Sequence, residues 1–229
     1  MSIVMSRSWV KMAAAVAAAG LAASACGTVQ MGAAAVTNTS RISSATLTAE
    51  VANLNSAYQS DAAKGLKPQR PTGQEAQQVL TWLILFQVYD QIAAQRGIYV
   101  SQEQAQRQLN NLSSEAASNK ATLPEFVSAA GALPPDLVPE LGRYFAILSE
   151  LEGRLDNGKP PTTTAGQDAL QAKIGKEQCY ASRNLGVSVN PQYGVWDYRT
   201  YSVVAATPTL AANPVPAASP TPVVTKAPC

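Results

Sequence analysis

Leu47, Val51, Leu54 and Tyr58 recur at intervals of three and four residues, the spacing that places side chains on one face of an α-helix. Ser43 or Ser44 stands ahead of that run and offers a side-chain oxygen to cap it. A denser run, Val79-Leu-Thr-Trp-Leu-Ile-Leu-Phe86, is extended by Val88, Tyr89 and Ile92. It is apolar around nearly its whole circumference, which predicts a helix from Gln74 to Arg96 in the middle of a bundle, closed by Gly97. Ser101 then caps a polar helix whose inner face is Ala105, Leu109 and Leu112. Thr122-Leu-Pro124 starts a short helix carrying Phe126 and Val127, which ends near Gly131. Pro134-Pro135-Asp136 opens a long helix with an inward stripe of Leu137, Leu141, Tyr144, Leu148, Leu151 and Leu155. A last helix runs from about Gly166 to Asn184, with Leu170 and Ile174 inward.

Between these stretches the period changes. Ala33–Val36, a turn at Asn38-Thr-Ser40 and Arg41-Ile42 predict a hairpin-like start. Val187 and Val189 alternate with polar residues and stop at Pro191, which predicts a closing strand paired with Ala34–Val36. Tyr193-Gly194-Val-Trp196 reads as a turn, and Asp61–Thr72 and Asp156–Thr164 read as loops. The expected fold is mainly α: a helical bundle over 33–204 with a small two-stranded β element made by the two ends of the domain. From Ala205 the chain is mostly Ala, Pro, Thr and Val with almost no charge, which predicts a disordered tail over 205–229.

The first 25 residues read differently. Arg7 and Lys11 precede an Ala-rich apolar run, Met12 to Ala25, of about 14 residues, too short to span about 30 Å of hydrocarbon but suited to a secretory signal. Small residues Ala-Ser-Ala25 lead to Cys26. The same bond is cut whether Cys26 is then lipidated, the favoured reading, or simply becomes a free N-terminus. Residues 26–32 would be a tether. Removing residues 1–25 takes Arg7 and Lys11 and leaves equal numbers of basic and acidic residues. No basic stripe remains, which argues against nucleic acid as a partner.

The chain has no histidine. That removes the commonest general base and metal ligand, and every His-containing triad. Cys26, Cys179 and Cys229 form no metal-binding spacing. Cys179 and Cys229 read as a half-buried thiol and a frayed terminal one, with an export-dependent disulfide as the alternative. Glu150 and Glu152 point to different helix faces and make no carboxylate pair. No catalytic, metal or cofactor site is therefore expected. Trp82 and Phe86, in an all-round apolar helix, read first as core and second as the lining of a binding groove. Tyr144 on the long stripe and Trp196 beside the closing strand are the remaining candidates for such contacts. Trp196 is read mainly as a cap on the bundle end.

The order of these pieces, with Ala34-Ala-Val36-Thr-Asn-Thr-Ser-Arg41-Ile42-Ser43 at one end and Asn190-Pro-Gln-Tyr-Gly-Val-Trp196-Asp197 at the other, resembles actinobacterial lipoproteins built on the SurA N-terminal domain. That domain is related to the PrsA foldases and the trigger-factor chaperone module. The resemblance covers roughly 33–198. In SurA and PrsA a parvulin isomerase domain is inserted where this chain has only Asp156–Thr164, and parvulin sites use histidine. The resemblance therefore implies the chaperone half alone: a cradle that holds exported or unfolded polypeptide without ATP and without isomerase activity. The chain would be anchored by lipid on Cys26 to the outer face of the cytoplasmic membrane. The competing expectation is a scaffold lipoprotein of the envelope that binds one specific partner. An enzyme is the weakest of the three readings.

Overall fold

The computed structural model describes residues 32–64, 73–206 and 229. The signal, Cys26, most of the tether and residues 207–228 of the expected tail lie outside the described residues.

Strand β1 (Ala33–Val36) turns back into β2 (Arg41–Ser43), and Ser43 ends the strand and begins the first helix. Its hydroxyl accepts from the Thr46 N–H at 2.9 Å, satisfying one of the amides that a helix start leaves unpaired. Helix α1 (Ser44–Ala63) buries Leu47, Leu54 and Tyr58. It runs further than the expected loop boundary at Asp61, which is helical and buried. The Asp61 carboxylate lies 3.4 Å from Ser128 Oγ, whose single proton is shared with the Glu125 carbonyl oxygen at 3.1 Å.

Helix α2 (Glu75–Arg96) ends at Gly97 in a left-handed conformation. It buries Val79, Leu80, Ile84, Val88, Tyr89, Ile92 and Ala93. It packs on α1, on the later helices and on two separate strand regions, which is why it is apolar on nearly every side. Helix α3 (Gln102–Ser118) starts with a reciprocal cap: Ser101 Oγ accepts from the Gln104 N–H, and Gln104 Oε1 accepts from the Ser101 N–H. Thr122 and Glu125 repeat the device at α4 (Leu123–Gly131). A 3₁₀ turn at Pro135–Leu137 leads into α5 (Val138–Leu155), and α6 (Thr164–Leu185) follows the short loop after it. Helices α3 and α5 come unusually close at Gly142, where a Cβ would lie 2.7 Å from Leu109 Cγ and 3.0 Å from the Ala105 carbonyl oxygen.

The fold is mainly helical with small antiparallel sheets. The β element is larger than the sequence pattern predicts. The closing strand β3 (Ser188–Val189) does pair with β1, with Ala35 opposite Val189 and Val36 opposite Ser188. The returning leg β2 also pairs with β1, with a bulge between Ala33 and Ala35, so the sheet has three strands in the order β2-β1-β3. The expected turn at Tyr193–Trp196 holds only as far as Tyr193, whose N–H donates to the Asn190 carbonyl oxygen at 2.9 Å, and Val195 and Trp196 instead begin a second hairpin. Strand β4 (Val195–Asp197) pairs with β5 (Ser202–Val204). Asp197 Oδ1 accepts from the Arg199 N–H at 2.8 Å, and Tyr201 takes φ 52, so the chain reverses within four residues. Gly194 is required where it stands: its φ is 131, and a Cβ there would fall 2.2 Å from the Val204 carbonyl oxygen.

The cysteines also correct the sequence reading. Cys179 and Cys229 form a disulfide, with their Cα atoms 5.6 Å apart, so neither is a free thiol. Cys179 faces inward near the end of α6, and the last residue of the chain reaches back to it.

Two cores result. The main one gathers Leu47, Leu54, Tyr58, Ile84, Tyr89, Ile147, Leu151, Ile174 and Trp196. A smaller one joins Val127, Leu133, Leu137 and Leu141, with Trp82, Phe86, Leu112, Phe126 and Phe145 partly buried around it. Among the described residues, no helix is long and apolar enough to cross a membrane.

Candidate binding groove

Trp82, Phe86 and Tyr144 converge at the smaller core. The all-round apolar pattern of α2 puts Trp82 and Phe86 one turn apart, and the stripe of α5 brings Tyr144 across from them. The ring centroids are 5.8 Å apart for Trp82 and Phe86, 6.0 Å for Trp82 and Tyr144, and 6.1 Å for Phe86 and Tyr144. Tyr144 meets both rings edge-on, the favourable arrangement for ring quadrupoles. Phe145 adds a further edge contact at 5.0 Å. All four rings are half-buried.

Trp196, the fourth candidate, is elsewhere. It is 7 % exposed in the main core, opposite Val203 on the second hairpin. It does not line the cluster.

The aromatic cluster borders a pocket of about 160 Å³ lined by Trp82, Leu112, Phe126, Val127, Ala130, Gly131, Leu133, Leu141 and Phe145. No titratable side chain contributes to that lining. The volume is close to the roughly 150 Å³ of apolar cavities that hold benzene, so one Leu- or Phe-sized side chain fits.

On the other side of Trp82 lies a larger groove of about 460 Å³. Its walls are Gln74 just before α2, Gln77, Gln78, Thr81 and Leu85 of α2, and Ser202, Val203, Val204 and Ala205 of β5 and the residue after it. Trp82 and Gly131 border both spaces. The Trp82 ring is fixed by its Nε1–H, which donates to the Gly131 carbonyl oxygen at 2.8 Å. The groove mixes apolar and polar lining and carries no charged side chain: its hydrogen-bonding groups are three carboxamides, two hydroxyls and backbone.

The titratable groups nearest the cluster do not suit proton transfer. Burial pushes the Tyr89 phenol far above its usual range, helped by the adjacent Tyr144. Burial likewise raises Tyr144. Gln178 Nε2 donates to Tyr89 Oη at 2.8 Å. Both phenols therefore remain protonated and act as fixed parts of the packing. Among the described residues there is no group of His, Cys, Asp and Glu able to hold a metal ion.

Sequence reasoning reached Trp82, Phe86 and Tyr144 but missed the groove. Phe145 breaks the stripe by placing a second aromatic beside Tyr144, and that irregularity was the available signal for the pocket. Gln74, Gln77 and Gln78 carry no signal at all without β5, because the strand supplies the wall that makes them face something. Compared with protein-family models, curated proteins and solved structures, the chain matches none.

Proposed function

We propose that the protein binds extended, non-native segments of exported polypeptides, transiently and without ATP, as a chaperone held at the outer face of the cytoplasmic membrane by lipid on Cys26. The observation that carries this reading is the position of Trp82 between two spaces of different chemistry. One takes a single apolar side chain. The other offers neutral hydrogen-bonding groups to a backbone. A folded partner hides both its apolar side chains and its backbone groups, and an unfolded one presents them together.

The magnitudes suit transient binding. Burying one Leu- or Phe-sized side chain contributes roughly 1.5–3 kcal/mol, well below what a lasting complex needs after association entropy is met. The Cys179–Cys229 disulfide suits an oxidising location outside the cytoplasm. The short loop between α5 and α6 and the absence of histidine leave nothing on which to base isomerase chemistry, so the activity proposed is holding alone.

The test is suppression of aggregation of a reduced, unfolded model client by the purified protein. The expected result is a dose-dependent delay at near-stoichiometric ratios. No delay at several-fold excess overturns the reading. Selective capture of one folded envelope protein, without any delay, would replace it with the scaffold reading.

A further inference from the structure

We propose that the groove between α2 and β5 receives its polypeptide as an added β-strand, read through its backbone, with one apolar side chain passing Trp82 into the adjoining pocket. This rests on the polypeptide-binding reading above and specifies how the site recognises what it binds.

The hairpin register carries the argument. Val204 faces Val195, Val203 faces Trp196 and Ser202 faces Asp197. The Val203 N–H is turned away from β4, because it donates to Thr81 Oγ1 on α2 at 2.9 Å. Backbone groups of alternate residues in a strand point the same way. The Val203 carbonyl and the Ala205 N–H therefore project from the outer edge of β5, into the groove that Val203, Val204 and Ala205 line. The Val203 N–H is already taken by Thr81, so the stretch of this edge open as a template for another chain runs from the Val203 carbonyl to the Ala205 N–H. The ladder to β4 ends at Val204, so among the described residues Ala205 pairs with no strand.

The facing wall fits the same occupant. Gln74, Gln77 and Gln78 each present a donor and an acceptor, the complement of the second edge of an incoming strand. No lining residue is charged, so a charged segment would lose its hydration there without a partner. The favoured occupant is thus a partner's extended, uncharged segment with one Leu- or Phe-sized anchor.

Calorimetric titration of the full-length protein tests this. The probe is an uncharged decapeptide of Thr, Ser and Gln around a single Phe. A second version carries N-methyl groups on alternate amides, and a third replaces the Phe by Ala. On the protein side, Ala205→Pro removes the projecting N–H, and Ala205→Val keeps it. Far-UV circular dichroism checks that both variants fold. The plain peptide should bind. N-methylation, loss of the Phe and Ala205→Pro should each weaken binding by about tenfold or more, the effect of losing roughly 1.4 kcal/mol. Ala205→Val, which keeps the N–H but enlarges the groove wall, should lose far less binding than Ala205→Pro does. Equal binding of the N-methylated peptide, or unchanged binding by Ala205→Pro, overturns strand addition even where aggregation is still suppressed. Failure of every peptide together with failure to suppress aggregation removes both readings. A tenfold gain in affinity on deleting 207–229 that Cys229→Ser, which breaks the same disulfide, does not reproduce assigns the groove to the chain's own tail, and a dimer dissolved by the peptide assigns it to a second copy; either result overturns the proposal.

Discussion

Trp82 Nε1 donates to the Gly131 carbonyl oxygen at 2.8 Å, which joins the middle of α2 to the last residue of α4. That carbonyl is one of those a helix end leaves without an intrahelical partner. The bond also sets the ring between groove and pocket. Trp82→Phe keeps an apolar ring and removes the donor. Stability should fall by about 1 kcal/mol, the usual net worth of one such bond, seen as a lower urea midpoint. The dose needed to suppress client aggregation should rise several-fold more than that small loss of folded protein accounts for. If the dose is unchanged, Trp82 is packing and not part of the site.

Glu125 gives the protein an acid-sensitive joint. Its carboxylate is held at about 2, below the ordinary 4.5, first by the hydrogen bond from Lys64 and then by the Thr122 backbone and hydroxyl. Lys64 follows directly on α1, so this pair ties α1 to the start of α4. A carboxylate lowered by folding contributes stability above its unfolded value, and that contribution is lost as pH falls through the folded value. Stability should therefore decline between pH 4.5 and about 2, and Glu125→Gln should flatten the decline in that window. Glu50 has the opposite sign. Burial, followed by the charge of Asp136, raises its pKa, so its contribution is complete at low pH and is lost as pH rises. Glu50→Gln should raise the thermal midpoint at pH 7 and leave it unchanged near pH 3. A midpoint that rises equally at both pH values would mean that the substitution acts through packing.

Gly142→Ala sets two effects against each other. Replacing Gly by Ala within a helix gains about 1 kcal/mol. The added Cβ would stand 2.7 Å from Leu109 Cγ and 3.0 Å from the Ala105 carbonyl oxygen. Leu109 can rotate, but the backbone oxygen moves only if α3 moves. Overpacking of that kind costs about 1–3 kcal/mol, so the clash should win and the urea midpoint should fall. Because α3 contributes Leu112 to the pocket, peptide binding should weaken as well. A raised midpoint would show that α3 yields without strain.

The disulfide links residues 50 positions apart. Closing a loop of that size in the unfolded chain is worth at most about 4 kcal/mol in the chain-entropy description. Cys229→Ser should lower the thermal midpoint by several degrees and expose one new reactive thiol, at Cys179. In the unmodified protein, a peptide from α6 should stay linked to the C-terminal peptide after digestion until a reductant is added. Separation of those peptides without reductant would exclude the bond in solution.

Much of the fold was legible because helices announce themselves locally. Ser43, Ser101 and Thr122 act as caps through their own side chains, and the burial of Leu47, Leu54 and Tyr58 follows from spacing alone. The strand pair β1–β3 was also legible, since alternation at Val187 and Val189 and the stop at Pro191 are local. What was not legible depends on distant partners. Strand β5 has only three residues, and its pairing needs Gly194 to yield room for the Val204 carbonyl. The groove exists only because that hairpin lies against α2. The cysteine pair was seen as an alternative only, because sequence cannot show that the end of the chain returns to α6.

Thr81 is the hinge of that arrangement. Its Oγ1 donates to the Gln77 carbonyl oxygen at 2.8 Å and accepts from the Val203 N–H at 2.9 Å. The first bond fixes the hydroxyl rotor, and the second holds the second hairpin on α2. Thr81→Val keeps the shape of the side chain and removes the acceptor, which leaves the Val203 N–H unpaired where Val203 is only 6 % exposed. A buried donor left without a partner costs about 1–3 kcal/mol. Thr81→Ser keeps the oxygen and loses one methyl group, so it should cost less than Thr81→Val. The Val203 amide should exchange with deuterium faster in Thr81→Val, while amides in the middle of α2, such as that of Ile84, should keep their protection. Loss of protection across the whole of α2 would instead mean that Thr81 supports the main core and that the hairpin is secondary. Unchanged exchange at Val203 would mean that the pairing of β5 with β4, rather than Thr81, holds the groove wall in place.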